Sequence, residues 1–214
     1  MNHDSAVVMS DHDSLLLTFS YDDDPPFDTG ATTIERVMLQ HEVESFFAFE
    51  ADLLDQWRYR RWLDLVTSDV RYWMPIRRNV KHGDWKRERT SELEELAWFD
   101  ENKTTLTARA DQLESGVHWV EEPRSRVTHI TTNTRIVLVR PSVDNKREVV
   151  TRSRFIVYRN HLDDEESLFI GKRGDVLRSV DESESDGLPL WRLARRVLLL
   201  DQSVLLSQNL SVLL

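Results

Sequence analysis

Cysteine is absent from all 214 residues. Disulfides, thiolate nucleophiles and sulfur ligation of a metal are therefore excluded together. No run of about eighteen apolar residues occurs, so no helical membrane span is expected. The apolar stretch Ser14–Phe19 is short and follows acids rather than bases, which argues against a signal peptide and makes the cytoplasm the expected location. Basic residues are missing from the start: no Lys or Arg precedes Arg36, while Asp4, Asp11, Asp13, Asp22, Asp23, Asp24 and Asp28 crowd there. A formal charge of −10 argues against a non-specific nucleic-acid binder, which needs a basic footprint.

What is present is an ordinary globular composition, 40% hydrophobic and 31% charged, enough for one substantial core. Residues 1–31 contain Pro25-Pro26 and Gly30 without lasting periodicity, and read as an acidic tail, flexible or an intersubunit arm. Residues 32–214 read as a single domain. Its organising stretch is Phe46–Arg77. Leu39, Val43, Phe46, Glu50, Leu53 and Trp57 recur at three- and four-residue steps, which predicts a long helix with one face on a sheet. Thr32 or Thr33 can cap it. Arg58-Tyr59-Arg60-Arg61 breaks the stripe, Trp62 and Leu63 restart it in a second short helix, and Asp69–Ile76 turns β-rich. Pro75 has no N–H to give a ladder, so this first strand is expected to be short or at an edge.

After a charged loop over Arg77–Thr90, Asp100 or Asn102 can cap a third helix carrying Leu106, Ala110 and Leu113 on one face. The rest is β. Arg126–Arg140, Arg147–Asn160, Ser167–Val180 and Leu188–Leu200 are long, alternating segments joined by turn-like stretches, which predicts an antiparallel meander. Strands so long must twist and coil, and Gly171 and Gly174 are expected at bulges. The fold class is α+β: a cone-shaped barrel of strongly curved, mainly antiparallel sheet, closed on its concave side by the N-terminal helices.

Seven histidines are present. None forms a two-His helical pair, and His41 with Glu44 is one i,i+3 pair without a third ligand, better explained as a solvated face. A Rieske cluster needs two cysteines, which this chain lacks. No Gly-rich phosphate loop and no nucleophile elbow occur. A cone could hold acid–base groups, and Tyr59, Asp64, Tyr72, His118 and His129 are the candidates, with His129 alternating with Val127 and Thr131. A lone His among threonines is more often a satisfied polar residue.

The stretches His41–Arg77, Glu121–Ile136, Ser153–Asn160, Gly171–Arg178 and Leu198–Leu214 resemble, in order, the small (beta) subunits of Rieske-type aromatic-ring-hydroxylating dioxygenases. The tail and the acidic loop Asp181–Gly187 lie outside the resemblance. It implies the cone fold of the SnoaL-like/cystatin-like class, shared with steroid isomerases and scytalone dehydratase, and a structural role without catalytic, cofactor or metal residues in this chain. It further implies a large alpha subunit as partner, holding a Rieske [2Fe-2S] cluster and a mononuclear non-haem iron, in an (αβ)3 hexamer. A ferredoxin and reductase would supply electrons, and the product would be a cis-dihydrodiol. Interfaces enrich Trp and Arg, so Trp73, Trp85, Trp98, Trp119, Arg195 and Arg196 are the expected partner contacts. The alternatives are a free-standing cone-barrel isomerase or dehydratase using His129 and Asp64, or a module binding a small apolar ligand.

Overall fold

The structure, a computed structural model, describes Leu16 and residues 32–84, 87–91, 96–115, 123–142, 146–163, 165–205, 207, 210 and 212–214. Helix α1 spans Thr33–Asp55 and is capped by Thr32. The Thr32 hydroxyl accepts from the Glu35 N–H, and the Glu35 carboxylate accepts from the Thr32 N–H at 2.7 Å, so two otherwise unpaired donors are satisfied. The apolar stripe buries Leu39, Val43, Phe46, Phe47, Leu53 and Leu54, together with Glu50. Each fully buried Leu or Phe there contributes about 1.5–3 kcal/mol. The helix ends in a double closure, Trp57 N–H to Leu54 C=O and Arg58 N–H to Leu53 C=O. That motif puts Trp57 at φ 62°, a conformation glycine adopts more readily. Packing holds it there: the Trp57 ring meets Tyr59 edge-on at 6.0 Å, and the Arg124 guanidinium lies 5.3 Å from its centre.

Helix α2 (Tyr59–Leu63) buries Tyr59, Trp62 and Leu63 and leads into strand β1 (Val66–Pro75). Strand β2 (Ala97–Glu101) follows, then helix α3 (Lys103–Glu114), capped by Asn102 through a second reciprocal box with Thr105. The meander is β3 (Arg126–Pro141), β4 (Arg147–His161), β5 (Glu165–Ser179) and β6 (Trp191–Leu200), within two residues of the expected limits except for a later start of β6. The six strands form one sheet in the order β2-β1-β6-β5-β4-β3, antiparallel throughout except for β1 beside β6.

Two expectations are corrected. Strand β1 is neither short nor at an edge: it has ten residues and lies between β2 and β6. Pro75 is accommodated because it is the last residue, where the register with β2 already shifts. The glycines of β5 make no bulge, for β4 and β5 pair without interruption from Glu148↔Arg178 to His161↔Glu165. They serve close approach instead. A side-chain carbon at Gly171 would press on the Leu199 carbonyl and lie 2.8 Å from the Phe155 ring, and Gly174 has the backbone of Leu16 against it.

The main core fills the cone between the helices and the concave face, where Phe46, Trp62, Tyr72, Phe155 and Phe169 meet. A second cluster lies on the outer face around Trp73, Val150, Val176 and Val197.

Candidate functional site

The concave interior is where related shapes could work, and here four buried charges and the last residues of the chain fill it. Glu50 faces the sheet because it shares the apolar stripe of α1. It accepts hydrogen bonds from Arg196 Nη2 at 2.7 Å and Trp62 Nε1 at 3.0 Å, and Arg173 Nη2 stands 3.5 Å away. Asp175, two residues along β5 from Arg173 and hence on the same face, accepts from Arg173 Nε at 2.9 Å and Arg196 Nε at 2.6 Å. Two guanidiniums and two carboxylates thus cancel in a space closed to water, the condition under which buried charge is tolerated.

Burial alone would push the Glu50 carboxyl up. The charges of Arg196 and Arg173, with the bonds from Arg196 and Trp62, overcome it and hold the group at about 2. Tyr72 goes the other way: burial pushes its hydroxyl up to about 12, against the opposing pull of Arg196. It donates to the Leu214 main-chain oxygen at 2.5 Å and accepts from the Leu214 N–H at 3.1 Å. Val212, Leu213 and Leu214 are buried in the core.

His129 completes the closure. Its Nδ1 lies 2.6 Å from Asp55 Oδ1 and its Nε2 lies 2.6 Å from the Leu213 carbonyl, while its backbone N–H donates to the same Asp55 oxygen. Both ring nitrogens are thus taken up by contacts within the chain. Neither is left to act on a substrate. Among the described residues, a cavity lined by Phe47, Glu50, His129, Phe155, Arg173 and Leu214 is about 10 Å3, room for one water at most.

The other candidates are scattered. Asp64 ends α2 and lies 3.8 Å from Arg61 on the surface; the carboxylate that His129 meets is Asp55, so the pairing of His129 with Asp64 is corrected. Tyr59 is buried beside Trp57. His41 and Glu44 line an open groove between α1 and β3. His118 lies outside the described residues, as do Trp85 and Trp119. Among the expected partner contacts, Trp73 sits in the outer-face cluster at 1% exposure and Arg196 is fully buried in the ion cluster, so both serve this chain's own interior. Trp98, 41% exposed on β2, and Arg195, half-buried on β6, are the described ones at the surface.

Neither iron centre of a ring-hydroxylating dioxygenase fits these donors. Cysteine is absent, and among the described residues no three His, Asp or Glu side chains converge to hold a metal.

Comparison with known proteins assigns this architecture. Residues 49–207 match the family model described as ring hydroxylating beta subunit. The chain is 38% identical over 173 residues to the biphenyl 2,3-dioxygenase subunit beta of Rhodococcus jostii (strain RHA1), covering 81% of this chain and 87% of that one. A solved naphthalene 1,2-dioxygenase with indole bound in the active site aligns with a TM-score of 0.68 at 27% identity, over 83% of this chain and 86% of that one. A putative scytalone dehydratase from Novosphingobium aromaticivorans, TM-score 0.51 at 13% identity over 80% and 89%, shares the fold alone. The chain belongs to the ring hydroxylating beta subunit family, the beta subunits of aromatic-ring-hydroxylating dioxygenases.

Proposed function

We propose that this chain is the non-catalytic scaffold of its dioxygenase, pairing with a large alpha subunit that carries the Rieske [2Fe-2S] cluster and the mononuclear iron. The assembly is an (αβ)3 hexamer in the cytoplasm. It receives electrons through a ferredoxin and reductase and converts an aromatic compound and dioxygen to a cis-dihydrodiol.

The observation that carries the scaffold reading is what fills the cone among the described residues. Where a related enzyme would keep a pocket, this chain has a neutral four-charge cluster, Leu213 and Leu214, and a histidine bonded at both nitrogens. A free-standing isomerase or dehydratase would need an exposed acid–base group beside a cavity of substrate size. A small-ligand module would need the cavity itself. The cofactor assignment to the partner is supported by the donor set, which lacks the cysteines of a Rieske cluster.

The test is reconstitution. The large subunit with this chain should turn over an aromatic substrate, and this chain alone should neither do so nor hold stoichiometric iron after anaerobic purification. Tightly held iron at one atom per chain, or acid–base turnover by the isolated chain, would refute the proposal.

A further inference from the structure

Two apolar patches of this chain lie at its surface, one on the sheet and one on α1. The first is on the outer face. Phe155, Val157 and Phe169 belong to the core inside the cone, so the residues that alternate with them on β4 and β5 point outward. Ile130 of β3 pairs with Ile156, and Ile156 pairs with Ile170, which makes one isoleucine row across three strands. Tyr158 pairs with Leu168 in the next row. Ile130, Tyr158, Leu168 and Ile170 are each at least 38% exposed, and contiguous apolar surface of this kind marks an interaction site. The flanking rows carry Arg126 and Glu166 on one side and Arg154 and Lys172 on the other, with Asp201 bonded to Lys172.

The second patch is the solvent side of α1. Ile34, Val37 and Met38 are 72%, 64% and 59% exposed, and with exposed His41 they follow the i, i+3, i+4, i+7 spacing of one helical face. Leu39, Val43 and Phe46 hold the opposite side in the core. Glu35 and Glu42 flank the stripe on one side and Glu44 on the other, while Arg36 turns toward β3 in the groove.

We propose that the two patches meet between copies of this chain, the α1 stripe of one copy on the isoleucine row of the next, and that three such contacts close a ring. The inference rests on the hexamer proposed above and names the contact between its small subunits. Three observations point to a second copy as the occupant. The patches cannot meet within one chain, because α1 packs on the concave face and the sheet stands between it and the outer face. Their sizes match: Ile34 to His41 covers about 10 Å along the helix, and three strands cover about 10 Å across the sheet. Their charges are opposite. On a chain of net charge −10, the sheet patch carries three bases against two acids, and the helix stripe carries three acids against Arg36. The two surfaces differ, so the contact is head-to-tail, the kind that closes into a ring when the rotation allows.

The absence of cysteine makes introduced thiols clean probes of this chain. In the complex co-expressed with the large subunit, the double variant Met38→Cys, Ile130→Cys treated with a short bismaleimide should give covalent dimers and trimers of this chain on a denaturing gel. Each substitution alone should give none, because in a head-to-tail contact neither patch meets its own counterpart. Both positions are exposed, so far-UV circular dichroism should be unchanged, and Val37→Cys with Ile170→Cys repeats the test at a second pair. Covalent dimers from a single variant would mean a two-fold contact and overturn the ring. Cross-links to the large subunit in place of the trimer would give it the patch and overturn the second copy as occupant. No covalent trimer from either pair, in a complex with the mass of the hexamer, would overturn this contact and leave the hexamer standing. A mass of one large and one small subunit would overturn both.

Discussion

Glu50 and Arg196 stand 146 positions apart in the sequence and 2.7 Å apart inside the cone. Their contact ties the long helix to the last strand, and Arg173 and Asp175 tie both to β5. Removing one member leaves its neighbour charged and dry, which costs about 3–5 kcal/mol. Arg196→Met should lower stability by that amount in urea unfolding. Replacing Glu50, Arg173, Asp175 and Arg196 together by apolar residues of matching volume should cost much less.

Acid should loosen the same cluster. Glu50 titrates at about 2 when folded and near the ordinary carboxylate value, about 4.3, when unfolded. A lowered folded value adds stability that is complete above the unfolded value and is lost as pH falls from there toward about 2. That contribution is on the order of 3 kcal/mol at neutral pH. Unfolding midpoints measured from pH 7 down to pH 3 should therefore drop most steeply below about pH 4.5. Glu50→Gln should flatten that drop while being less stable at pH 7. An equally steep decline in the variant would assign acid sensitivity elsewhere.

Glu50 also shows where legibility in the sequence stopped. Its place on the stripe with Leu39, Val43, Phe46 and Leu53 was readable, and a carboxylate on an apolar face demands a partner. The partner was not readable, because it depends on how β5 and β6 register beneath a helix more than a hundred residues earlier. The meander was legible because β3, β4 and β5 alternate over long runs between turn residues. Pro75 misled because a missing N–H excludes a ladder bond but not the final position of an interior strand. Gly171 and Gly174 were seen as special, but the reason lay in Phe155 and Leu16, which only the packing brings near. That His129 could point into the cone was readable from its alternation with Val127 and Thr131. Its bonds to Asp55 and to Leu213 followed from no local pattern.

His129 is a latch between α1, β3 and the end of the chain, and its replacement should act on stability before turnover. His129→Gln and Asp64→Asn should each change dioxygenase turnover by less than about tenfold, since loss of a true general acid or base costs about 10²–10⁴-fold. His129→Gln should also lower Tm, because the Leu213 carbonyl or Asp55 loses its donor. A fall of three orders in turnover, with the assembly intact, would move chemistry into this chain.

Gly171→Ala should destabilise by about 1–3 kcal/mol, the usual cost of forcing extra volume into a packed core. The added methyl meets the Phe155 ring and the Leu199 carbonyl at once. Pairing it with Phe155→Leu should recover part of the loss in thermal unfolding, since the ring is then gone. No recovery would mean that the strand backbone sets the limit.

Charge reversal separates the outer surface from the exposed loops. Arg195 lies half-buried on the sheet and Lys81 lies in the loop after β1. Arg195→Glu should weaken association with the large subunit more than Lys81→Glu does, read as the fraction of this chain that co-elutes.

The scaffold role is tested most directly by the mass, from light scattering, of this chain co-expressed with its large subunit. The expected result is one complex of equal stoichiometry and threefold symmetry, with all iron accounted for by the large subunit. A stable 25.2 kDa monomer that never co-elutes with a large subunit would contradict it.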